Sequence, residues 1–209
     1  MHVKGRQSHQ KAVARLVASY GRIAPGSRIR LAKKTSNLFR PRTADRTPGL
    51  DVSGLDGVIE IDVEAQTADV QGICTYEDLV AATLPLGLIP FVIPQLRTIT
   101  LGGAVSGLGI ESTSFRNGLP HESVIEMDIL TGSGEIVTAT PDGDHLDLFD
   151  TFPNSYGSLG YATRLRIKLE KVPRFGMLRQ VQVADAAAAV KAIDIITESG
   201  EWHGQRVDG

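Results

Sequence analysis

Residues 100–112 read TLGGAVSGLGIES, with glycine at 102, 103, 107 and 109. Thr100, Ser106 and Ser112 add hydroxyls to this stretch, and Glu111 adds a carboxylate. Glycine lacks the Cβ that would hold a backbone N–H away from an anion or a flat ring, so the stretch suits a main-chain cradle. A tight turn or a close crossing of backbones needs the same composition. Spacing excludes two common cradles. The G-x-G-x-x-G dinucleotide fingerprint would start at Gly107 and Gly109, but Ser112 stands where its third glycine belongs, and the stretch lies far from the first strand. The Walker phosphate loop needs Gly-Lys, a pair that occurs nowhere in the sequence.

Other chemistry is thinly supplied. The histidines stand apart at 2, 9, 121, 145 and 203, and Cys74 is the single cysteine, so neither a disulfide framework nor a histidine or cysteine metal site is expected. His121 reads as a loop residue and Cys74 as a small core residue. Asp142, Asp144, Asp147 and Asp150 lack the calcium-loop register. No nucleophile elbow supports a Ser/His/Asp arrangement. Lys33, Lys34, Thr35, Ser36 and Asn37 follow a short strand as a polar loop or turn entry.

The elements that must position these residues are legible as periodicity. Val13, Leu16, Val17 and Tyr20 recur at helical spacing over 9–20, and Gly21 stops the run. Short strands are expected at 28–32 and 50–55. Alternation predicts a hairpin over 58–72, with Ile59, Ile61 and Val63 inward, and a second over 123–140, bent at 132–134. Thr75 with Asp78 is a capping-box pattern that opens a helix facing inward through Tyr76, Leu79, Val80 and Thr83 and closing before Pro85. A short helix is expected at 146–149. Leu165, Ile167 and Leu169 mark one face of a strand within 157–172; a further strand at 178–183 and an alanine-rich helix at 186–197 follow.

The chain has 209 residues, 22 basic and 24 acidic, for a net charge of −2. That balance gives no reason to expect a nucleic-acid partner. No apolar run reaches the length of a signal peptide core or a membrane span, so a cytoplasmic protein is expected.

The stretch PQLRTITLGGAVSGLGIESTSFRNGLPHESVIEMDILTGSGEIV resembles the flavin-binding half of the vanillyl-alcohol-oxidase (PCMH-type) class of FAD enzymes. Residues 156–163, YGSLGYAT, resemble its G-x-L-G-x-x-T element, and residues 54–83 resemble the hairpin and helix that open its second FAD subdomain. Within the class, the GIES ending is most similar to the sterol delta-24 reductase group, which includes 24-dehydrocholesterol reductase and diminuto-like proteins.

The resemblance implies an α+β fold of two FAD subdomains, 1–55 and 56–172, with 173–209 as the start of an incomplete substrate domain. By the same layout, the sequence reads as C-terminally truncated. It implies FAD held non-covalently by Lys34, Thr35, Ser36, Asn37, Thr100, Leu101, Gly102, Gly103, Ala104, Val105, Ser106, Gly107, Leu108, Gly109, Ile110, Glu111, Ser112, Gly157, Gly160 and Tyr161. Bare amides of the glycine stretch would face the ring and stabilise its reduced, anionic form. The implied activity is hydride transfer between flavin and a small organic substrate. In the sterol group this reduces a carbon–carbon double bond of the sterol tail, with NADPH as reductant. A hydroxy-acid, sugar or alcohol oxidase of the same class, and a non-catalytic FAD-fold module, are the competing expectations. No catalytic acid or base is assigned.

Overall fold

The computed structural model describes residues 3–33, 47–177 and 180–199. Helix α1 (Arg6–Tyr20) precedes two short strands, β1 (Arg30–Leu31) and β2 (Gly49–Leu50), which pair in parallel. The first expected hairpin forms from β3 (Val58–Asp62) and β4 (Thr67–Gln71), followed by α2 (Tyr76–Thr83) and β5 (Leu88–Pro90). Two short helices, α3 (Leu101–Gly107) and α4 (Ser114–Asn117), lead into the second expected hairpin, β6 (Val124–Leu130) and β7 (Ile136–Ala139). After α5 (Leu146–Thr151) comes β8 (Tyr161–Lys171), and then α6 (Ala186–Ser199).

Strand β8 organises the larger sheet, whose order is β3-β4-β8-β6-β7, with β5 pairing to the far end of β8. Its alternation assigns the two faces. Leu165, Ile167 and Leu169 point into a core shared with Val70, Met127, Ile129, Leu79, Leu101 and Val105. Arg164 and Arg166 point the other way, toward α1. A second apolar cluster, built from Ala12, Leu16, Leu50, Val52, Leu55 and Leu130, joins α1 and β2 to the sheet edge.

Helix α2 starts as its sequence predicts: the Asp78 amide donates to Thr75 Oγ1 at 3.1 Å, and the Thr75 hydroxyl donates to the Asp78 carboxylate at 2.7 Å. Tyr76, Leu79 and Thr83 are buried. The first hairpin departs from simple alternation. A bulge between Val58 and Glu60 interrupts the pattern: Val58 and Ile61 pack on the core, Ile59 is buried on the face toward α1, and Val63 falls in the turn after β3 and is exposed. Residues 180–183 form no strand, and the apolar side chains Val190, Ile193 and Ile195 of α6 are exposed.

Backbones cross closely beside the core. The Gly72 amide donates to the Thr163 carbonyl at 3.2 Å, and the Gly102 amide donates to the Gly72 carbonyl at 3.0 Å. A Cβ on Gly72 would fall inside the carbonyl oxygen of Ala162. Gly72→Ala is therefore expected to cost about 3 kcal/mol by overpacking against backbone; urea unfolding measures it.

The opposite face carries charge. Arg164 is bonded to Asp69 at 2.6 Å, to Asp128 at 2.7 Å and to Glu126. Burial acts to raise the Asp69 pKa, but hydrogen bonds from Arg166 and Arg164 hold it below the ordinary carboxylate value. Beside this network, the fully buried Gln71 accepts the Gly57 amide on Oε1 at 2.9 Å, so its Nε2 faces His9 Nδ1 at 3.4 Å. An amide nitrogen only donates, so His9 must offer an unprotonated Nδ1. Burial lowers the His9 pKa below 6.5, and Arg164 adds to this against the raising pull of Asp128 and Asp69. The unfolded protein takes the proton first, so this contribution to stability is complete above pH 6.5 and lost as pH falls from there through the folded-state pKa. Melting temperature is expected to fall below about pH 6.5. His9→Gln, which keeps an acceptor toward Gln71, should flatten the profile below pH 6.5.

Candidate cofactor-binding site

A cavity of about 590 Å³ opens beside α3, a volume in the range of small-molecule sites. Its walls come from both ends of the described fold. Leu31 and Lys33 arrive from β1, Gly72 and Ile73 from the end of β4, and Pro94, Leu96 and Ile99 from the segment before α3. The loop between α5 and β8 closes the other side with Phe152, Tyr156, Gly157 and Gly160.

The TLGG sequence is the start of a helix. Thr100 is its N-cap, and Thr100 Oγ1 accepts the Gly103 amide at 3.3 Å. The Lys33 ammonium donates to the same oxygen at 3.3 Å. The Leu101 amide donates to the Cys74 carbonyl at 2.9 Å and the Gly102 amide to Gly72. Ala104 donates to Thr100, while Leu108 and Gly109 donate to Ala104. The expectation that this stretch bares its amides is therefore corrected: folding itself consumes those donors.

The glycines instead divide by what a side chain would meet. Gly102 lies where a Cβ would sit 2.6 Å from the Gly72 carbonyl oxygen, so it serves the backbone crossing. At Gly107 a Cβ would meet nothing within 4 Å, and at Gly109 only Pro120 Cγ at 3.8 Å. Both line the cavity. Neither the packing nor a positive φ requires glycine there. What their missing side chains leave is room in the cavity.

The structure brings Thr100, Gly102, Gly103, Ala104, Ser106, Gly107, Gly109, Glu111, Gly157, Gly160 and Tyr161 to this cavity. It does not bring five others to its wall. Leu101 and Val105 are buried in the core, because α3 must turn one face toward the sheet. Leu108 is the left-handed C-cap of α3, Ile110 is 77% exposed, and Ser112 lies in the turn before α4. Lys34, Thr35, Ser36 and Asn37 lie outside the described residues.

Glu111 ties the loop together. Its carboxylate accepts the Gln95 amide at 3.3 Å, and its own amide donates to Ser114 Oγ at 3.0 Å. Cys74 is fully buried, and burial, with Asp78 and Asp56 adding, pushes its thiol up to about 12, which excludes thiolate chemistry. Sequence reading missed Leu31, Gly72, Ile73, Pro94, Leu96, Ile99, Phe152, Tyr156 and Ala162 as wall residues. Most are apolar and far apart in sequence, and only the fold gathers them. The one local signal was Gly72, at the end of a strand.

A family model described as an FAD binding domain matches residues 11–140. The chain belongs to this FAD-binding domain family. It is 33% identical over 134 residues to the delta(24)-sterol reductase of Arabidopsis thaliana, covering 64% of this chain and 24% of that protein. Against the Pisum sativum delta(24)-sterol reductase it is 31% identical over 126 residues, 60% of this chain and 22% of the relative. Cytokinin dehydrogenase 3 of Arabidopsis thaliana is 37% identical over 136 residues, 58% of this chain and 26% of the relative. This chain thus spans about a quarter of the length of the curated relatives it matches. In fold it is similar to the solved structure of 6-hydroxy-D-nicotine oxidase from Arthrobacter nicotinovorans, with a TM-score of 0.65 and 18% identity over 82% of this chain and 37% of that one. The α+β fold and its FAD-binding class thus stand as read from the sequence.

FAD is the cofactor of this family, and the cavity fits it. The site offers a walled space of about 590 Å³, two glycines where a side chain would meet no clash, and Lys33, whose pKa burial lowers. No carboxylate among the described residues pairs with the Lys33 ammonium, so a phosphate there would compensate its desolvation. Among the described residues, no helix is long and apolar enough to cross a membrane.

Gly107→Ala separates space from folding. The substitution sits in a helix with no clash, so it should stabilise the protein by about 0.5–1 kcal/mol. If the vacant position serves FAD, the dissociation constant should rise on the order of tenfold, since one methyl group would intrude on the ligand. Denaturant titration and FAD fluorescence quenching measure the two effects.

Proposed function

We propose that this protein is the FAD-binding part of a flavin-dependent oxidoreductase that transfers a hydride between FAD and a small organic substrate. The observation that carries the reading is the pair Gly107 and Gly109, open to the cavity with no packing role. In this reading, Lys33 and Thr100 receive phosphate, α3 and Gly157–Tyr161 bracket the cofactor, and Leu31, Leu96 and Ile99 keep water from it. Lys34, Thr35, Ser36 and Asn37 would extend the phosphate contact. Bound flavin supplies the two-electron chemistry; the protein supplies binding, orientation and electrostatics. Attachment is non-covalent, which is supported by a cavity wall that holds neither histidine nor cysteine among the described residues.

At the level of substrate, we infer reduction of a carbon–carbon double bond in the tail of a sterol-like molecule, with NADPH as reductant. The GIES stretch and the two delta(24)-sterol reductase relatives support it. The cytokinin dehydrogenase relatives support the competing reading, a dehydrogenase of another small molecule. A cytoplasmic location belongs to the same proposal; a lone, buried cysteine supports it.

Protein purified after incubation with FAD should be yellow, carry about one flavin per protein molecule, and release it on denaturation without covalent adduct. Colourless protein that takes up no FAD from excess would contradict the reading. Assay of a longer polypeptide that includes this part, against sterol-like and cytokinin-like substrates, decides the substrate class.

A further inference from the structure

We propose that Tyr156 is a ring contact for the bound dinucleotide, held over the cavity mouth by a strained backbone. This rests on the FAD reading above. Tyr156 has φ +51°, a left-handed conformation that is a genuine outlier for a bulky side chain. The neighbouring Asn154 (φ +62°) is also left-handed, but asparagine tolerates that region, and Gly157 (φ +83°) adopts it freely. Tyr156 alone in this loop bears the steric cost.

Surrounding bonds hold it there. The Tyr156 amide donates to the Ser106 carbonyl in the last turn of α3 at 2.9 Å, a link from the loop to the opposite wall of the cavity. The Ser155 amide donates to Phe152 at 3.2 Å and the Ser158 amide to Ser155 at 2.9 Å, fixing the turn on either side. The side chain gains no burial for this cost. It is 69% exposed, yet it lines the cavity. Glycine would hold the same backbone without strain, and packing gives no reason for an aromatic ring. Strain persisting at the mouth of a ligand cavity points to use of the side chain on the ligand. Its chemistry suits a flat π-system: an aromatic face stacks on a planar ring, and stacking on a nucleobase is worth about tenfold or more in affinity. FAD carries two such rings.

The test compares Tyr156→Gly, Tyr156→Asn and Tyr156→Phe in the same protein. Glycine relieves the strain, so its apo protein should melt about 2–4 °C higher. The same variant should bind FAD about tenfold more weakly. Asparagine, which also tolerates the left-handed region, removes the ring by an independent route and should weaken FAD similarly. Phenylalanine keeps the ring and should retain the wild-type affinity within about threefold. Titration with FMN and with ADP shows which ring is covered, since only the half-ligand bearing it should lose affinity in the Gly variant. Gly and Asn variants that bind FAD as tightly as wild type would overturn the inference and leave the FAD reading standing. Wild-type protein that binds no FAD would overturn both.

Discussion

The constraint on which the structure depends is a crossing of two backbones with no side chain between them. Gly72 directly follows β4, donates to Thr163 and accepts from Gly102 at the start of α3. Neither Gly72 nor Gly102 has room for a Cβ. Helix α3 can therefore lie directly against the sheet backbone, with Leu101 and Val105 filling the core below. Its other face, carrying Gly103, Ser106 and Gly107, becomes a cavity wall. A larger residue at the crossing would lift the helix, and the wall would be displaced with it.

That geometry gives the two faces of the sheet different tasks. One face is apolar and supports α2 and α3. The other carries Arg164 with Asp69, Glu126 and Asp128, roofed by α1 and lined by a second cavity of about 780 Å³. There, each of these charges has an opposite partner, and Gln71 spends both ends of its amide on Gly57 and His9. A network so occupied holds α1 in register. The first cavity differs in kind: it contains a half-buried cation without an ion-pair partner among the described residues, and glycines that serve no packing need.

Much of this was legible in the sequence because local rules and tertiary packing agree. The Thr75–Asp78 cap, both hairpins and the inward face of β8 are patterns of period two or of helix initiation, and nothing in the fold opposes them. The β3 bulge was not legible, since it depends on the partner strand. The strand expected at 178–183 is not formed in its described residues, 180–183. The glycine stretch is visible in the sequence as a cluster of missing side chains, and the close backbone crossing it serves is not. Residue types show that side chains are missing; they do not show which backbone crosses there. Gly72, about thirty residues away in sequence, takes the amide expected to face a ligand, an example of long-range contact deciding a local property. Phe152 and Tyr156 were invisible for a similar reason, since their place at the cavity follows from the turn that returns the backbone to β8.

In the proposed reading, FAD occupies the cavity beside α3 and not the groove under α1. Amide chemical-shift mapping tests this most directly. On titration with FAD, large shifts are predicted at Gly102–Gly109 and Gly157–Tyr161, with Val13, Val17 and Arg164 unmoved. Shifts concentrated at Val13, Val17 and Arg164, with the glycine stretch silent, would contradict it.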